Sequence, residues 1–150
     1  MLNEELLRKA ILFYFFTFND EGTSLKAAKQ SIRQCQKRLK NTSEASADEI
    51  ESTLIYFLNK NWNRYIFKKA NERFSLSHET SWKLYDDVSL GWWRQFLKES
   101  NSDEYLAVVC SLILKFKEQN IAHGFGVSKG TVRHRINRGL RKLASLQVRN

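Results

Sequence analysis

The sequence predicts an all-α fold: a helical bundle in the N-terminal part, followed by a C-terminal helix-turn-helix. Three observations carry this. Proline is absent and only six glycines occur in 150 residues, which removes the turn chemistry that short-stranded sheets need. Apolar residues return at steps of three and four, and nowhere alternate as strands do. Capping residues stand ahead of several of these runs.

The elements follow in chain order. Asn3 can cap a first helix, with Glu4 and Glu5 in its first turn, running to about Phe18. Asn19-Asp20-Glu21-Gly22 reads as a turn. Leu25, Ala28, Ile32, Cys35 and Leu39 form one face of a second helix from about Ser24 to Lys40, and Lys26, Lys29, Arg33, Lys37 and Arg38 form the other. Ser46 and Glu49 have capping-box spacing, so a third helix starts there and either continues to about Phe74 or breaks near 59–63. Ser77 can cap a fourth, carrying Trp82, Tyr85, Trp92, Trp93 and Phe96, with Gly91 as its weak point.

Composition narrows the function classes. Two cysteines, Cys35 and Cys110, exclude a disulfide framework and a four-cysteine metal site. The run from Ala10 to Phe18 is too short for a bilayer, which needs about 20 residues. It follows two glutamates where a secretion signal would carry positive charge, so the expectation is a cytoplasmic protein with no membrane partner. His78, His123 and His134 lack metal-ligand spacing, and neither a phosphate loop nor a nucleophile elbow occurs. Neither an enzyme nor a cofactor is expected.

Charge and aromaticity divide the chain. From Gln119 onward there are seven Lys/Arg and no acid, so +7 of the formal +9 lies in the last 32 residues. Eighteen of the nineteen aromatics lie at or before Phe116. Both breaks place a boundary in the polar stretch Glu99–Asp103, between an aromatic-rich helical domain (residues 1–100) and a basic domain (residues 103–150). A positive block without acids attracts a polyanion, nucleic acid first.

The spacing inside that block is what a helix-turn-helix needs. Ala122 is small enough for a close crossing, and Gly126 tolerates the turn. Ser128 can cap the second helix, and Val132 can plug the core between the two. At about 100° per residue, Val132, Ile136, Leu140 and Leu143 make one apolar stripe. Gly130, His134, Asn137, Arg138 and Arg141 lie opposite, with Arg133, Arg135 and Lys142 on the flanks. A recognition helix presents its cationic side to the major groove. The expectation is double-stranded DNA, with Lys129, Thr131, Arg133, His134, Arg135 and Arg138 at the groove or its rim and Ser128, Arg141 and Lys142 on phosphates. Neutralising about five to seven phosphates would give a log–log salt slope near −4.5 to −6.

The residues Ile121-Ala122, Gly126-Val127-Ser128, Gly130-Thr131-Val132-Arg133, Arg135-Ile136, Arg138 and Lys142-Leu143 resemble region four of bacterial sigma factors of the extracytoplasmic-function type, over about residues 103–146. The resemblance implies a transcription protein that reads promoter DNA and contacts core RNA polymerase. A fainter similarity links residues 86–97 to the clamp-binding segment of sigma region two. Two other readings fit the same residues: a stand-alone dimeric regulator whose first domain binds a ligand or protein, and an adaptor whose basic helix grips an acidic protein.

Overall fold

The computed structural model describes residues 3–18, 21–42, 44–71 and 91–149. They form seven α-helices and no strand, the all-α class that the sequence predicts. These are α1 (Glu4–Phe18), α2 (Glu21–Leu39), α3 (Ala47–Asn71), α4 (Gly91–Glu99), α5 (Ser102–Val108), α6 (Glu118–Phe125) and α7 (Lys129–Arg149), with a π-helical turn at Val109–Ile113 extending α5. No described helix is long and apolar enough to cross a membrane.

Local sequence explains most of the boundaries. Asn3 Oδ1 accepts from the Leu6 amide at 3.0 Å and starts α1. Ser46 Oγ does the same for Glu49 at 3.1 Å ahead of α3, which runs unbroken through 59–63. α2 begins at Glu21, earlier than expected, so Glu21 and Gly22 belong to the helix rather than to a turn. Ser77, Trp82 and Tyr85, and with them the start of the expected fourth helix, lie outside the described residues, as do His78 and residues 86–90 of the segment 86–97. Asn101 caps α5, its Oδ1 accepting from the Glu104 amide at 3.1 Å. This cap sits in the polar stretch where the compositional break falls.

The buried side chains nevertheless form one cluster that crosses the break, from Ala10 on α1 to Leu146 on α7. A polar knot ties the first three helices: the Tyr14 hydroxyl donates to the Leu58 carbonyl at 3.1 Å and pairs with Ser31 Oγ at 2.7 Å. Asn61 on α3 donates to the same Ser31 oxygen at 2.8 Å and to Gln34 at 2.7 Å. A buried hydroxyl with partners costs little, whereas an orphaned one would cost about 1–3 kcal/mol. Trp93 on α4 donates its indole N–H to the Phe16 carbonyl at 2.9 Å, fastening α4 to α1.

Two glycines set how closely the C-terminal helices approach the rest. A Cβ at Gly124 would lie 2.6 Å from Ile55 Cγ2, so α6 crosses α3 at that point. A Cβ at Gly139 would lie 2.5 Å from Val108 Cγ2 and 3.6 Å from Phe96, so α7 crosses α5 and α4 there. Burial pushes the Cys35 thiol up to about 11 and raises that of Cys110 further, so both act as buried apolar groups.

Candidate nucleic-acid interface

The helix-turn-helix is built as its spacing predicts. Gly126 takes φ 69° and ψ 34°, the left-handed region where a side chain would be strained. The Val127 amide donates to the Ala122 carbonyl at 3.0 Å and the Gly126 amide to that of His123 at 3.3 Å. That pair of bonds is a Schellman motif, and it closes the exposed end of α6. Two residues on, Ser128 Oγ accepts from the Thr131 amide at 3.1 Å and opens α7. Ala122 and Val132 are both buried, as the two sides of the crossing require.

A polar clamp anchors the start of α6 to α3. Asp48 accepts from Lys117 Nζ at 2.9 Å and from Asn120 Nδ2 at 3.1 Å. Glu51 accepts a further bond from the Asn120 amide group. These donors hold the Asp48 carboxyl below its usual range, and Asp48 in turn raises Lys117 above the usual lysine value.

Along α7 the buried line is Val132, Ile136, Gly139, Leu143 and Leu146. This corrects one position of the expected stripe: Leu140 is exposed. It lies toward a groove of about 610 Å³ between the helices, shared with Leu112, Phe16 and Trp92. Gly139 takes its place because only a hydrogen fits against Val108.

The larger correction concerns charge. The basic block lacks acids in sequence, yet in space it is opposed by acids from just before it. Arg133 Nε lies 2.7 Å from Glu118, and Arg135 lies 3.7 Å from Asp103. Arg138 and Lys142 share one carboxylate, Glu104, at 3.3 and 2.8 Å. The Glu104 side chain is only 3% exposed and also accepts from Asn101 Nδ2 at 3.4 Å. A buried carboxylate is tolerable only when so partnered.

The nine predicted contact residues therefore fall into two groups. Ser128, Lys129, Arg133, His134 and Arg141 are exposed along the outer side of α7, together with Gly130 and Asn137. Among the described residues Lys129 and Arg141 pair with no acid. Arg135, Arg138 and Lys142 lie on the side facing α5, with the half-buried Thr131 on that same edge. Sequence reasoning missed Glu104, Gly139, Gly124 and the Asp48 clamp. The Asn101-x-x-Glu104 spacing was an available signal, and so was an interior helical glycine.

Compared with known proteins, the chain matches no family model, no curated protein and no solved structure.

Proposed function

We propose that the chain binds double-stranded DNA, entering the major groove with the first half of α7 while α6 crosses the backbone. The observation that supports this best is the closed turn at Gly126–Ser128. It fixes α6 against α7 and leaves an outer face of Lys129, Gly130, Arg133, His134, Asn137 and Arg141 with no large apolar side chain. Small and polar positions let the backbone approach the groove, and the cations meet phosphates. The resemblance to sigma region four makes the target a promoter element and core RNA polymerase a partner.

Internal pairing lowers the expected electrostatic share. With Arg133, Arg135, Arg138 and Lys142 held by Glu118, Asp103 and Glu104, the α7 face neutralises about two to three phosphates and contributes about −1.8 to −2.7 to the log–log salt slope. Fluorescence anisotropy on a labelled duplex, repeated across a salt series, measures this. A slope near zero would remove the proposal. Selection from a random duplex library, followed by co-purification with core polymerase, tests the promoter reading. Recovery of a palindromic site and a dimeric mass would favour the stand-alone regulator instead.

A further inference from the structure

A second cationic surface lies on α2. We propose that α2 carries an independent binding face for the sugar–phosphate backbone of duplex DNA. Between Gly22 and Ser43 the sequence holds six basic residues and no acid. Lys26, Lys29, Arg33, Lys37 and Lys40 are all exposed. Lys26, Lys29, Arg33 and Lys37 lie on α2, within roughly 80° of one another at about 100° per residue and over about 17 Å at 1.5 Å per residue, and Lys40 follows in the turn just past the helix. The sixth, Arg38, points elsewhere, its guanidinium 4.7 Å from the ring centres of Tyr56 and Phe57.

The contrast with α7 is in the pairing. Among the described residues none of these five cations meets a carboxylate, whereas Arg133, Arg135, Arg138 and Lys142 all do. Five uncompensated charges in a line repel one another, and a polyanion relieves that repulsion.

The make-up of the face selects among polyanions. Its neighbours are Gln30 and Gln36, with Leu25 only at the edge. A protein partner would need an apolar or aromatic centre, a membrane surface would need an apolar underside, and a single strand would need aromatics on which bases stack. None is present in the stripe. Evenly spaced cations with polar neighbours suit a regular line of phosphates.

This face is separate from α7. α2 lies along the side of α3 that carries Ile50, Asn61 and Tyr65. α6 lies along the side that carries Asp48, Ser52 and Ile55, about 140° round the helix. The chain can thus hold two stretches of duplex at once, and the proposal stands whether or not α7 reads bases.

The test uses the full chain and a labelled 30-base-pair duplex of random sequence. Replacing Lys26, Lys29, Arg33, Lys37 and Lys40 together by Gln should reduce the magnitude of the log–log salt slope by about 3–4.5, and Arg33→Gln with Lys37→Gln by about 1.8. The pair of substitutions keeps the test valid if five prove too many for folding. Wild type held on an immobilised duplex should capture a second, labelled duplex, and the five-fold variant should not. An unchanged slope, or capture that persists in the variant, overturns the proposal. So does equal binding to phosphatidylserine/phosphatidylcholine vesicles at the same salt. Lys129→Gln with Arg141→Gln separates the two readings: binding lost there and kept in the α2 variant refutes this one and leaves the α7 reading standing.

Discussion

α2 and α7 are both basic helices on the same core, and they use their cations in opposite ways. On α7, Glu104 draws Arg138 and Lys142 inward, Asp103 holds Arg135, and Glu118 holds Arg133. Along α2 and just past its end, five cations are exposed and, among the described residues, meet no acid in space. A count of charges along the chain ranks α7 as the stronger polyanion-binding helix. On the two proposals above, pairing reverses that order, because a cation already bonded to a carboxylate must give up that bond before it can meet a phosphate.

The comparison can be broken most severely at Glu104. Replacing Arg138 and Lys142 together by Ala strands a buried carboxylate. Breaking a fully buried pair costs about 3–5 kcal/mol, and the part-exposure of the two cations lowers the expectation to about 2–4 kcal/mol. Urea denaturation measures it, and a loss below about 1 kcal/mol would mean that the pairs are superficial.

Next come the glycines of α7. Gly139→Ala should cost about 1–3 kcal/mol, since its new methyl meets Val108 at 2.5 Å. Gly130→Ala, with nothing nearer than Ser128 Oγ at 3.9 Å, should instead stabilise by about 0.5–1 kcal/mol. Equal effects at the two sites would refute the close crossing.

Arginine substitutions sharpen the comparison on the DNA side. Arg141→Ala should leave the melting temperature unchanged and reduce the magnitude of the salt slope by about 0.9. Arg138→Ala should lower the melting temperature and move the slope by much less. If the two exchange roles, the inner and outer sides of α7 have been assigned in reverse.

The smallest effect concerns pH. Asp48 titrates lower in the folded chain than in the unfolded one, so its contribution is complete above its unfolded value near 4 and is lost as pH falls through the folded one. Lys117 shifts upward, so its share is present below about 10.4 and lost as pH rises beyond. Between those limits, chemical shifts of the α6 first-turn amides should stay constant, and Asp48→Asn should remove the acid-side transition.

Much of this architecture was legible in the sequence. The caps at Asn3, Ser46 and Ser128 rest on bonds spanning three residues, and the turn at Gly126 on one residue's backbone freedom, so local reading suffices for them. What escaped it depends on contacts between elements. Leu140 fits the apolar stripe by angle, but whether that angle faces core or groove is decided by Leu112 and Trp92 on other helices. Gly139 reads as a weak spot in an isolated helix and becomes the point of closest packing once Val108 lies beneath it. Glu104 reads as a surface charge near a boundary, and only its burial turns it into the partner of two cations 34 and 38 residues away.

The shared carboxylate and the glycine contact together oppose a roll of α7 about its own axis: a turn would move Gly139 away from Val108 and pull a guanidinium and an ammonium off Glu104. The angle at which this helix is presented is inherited from the hydrophobic core. If the proposed duplex lies against it, the adapting falls to the DNA, and steps that deform readily would be favoured at positions the protein never touches.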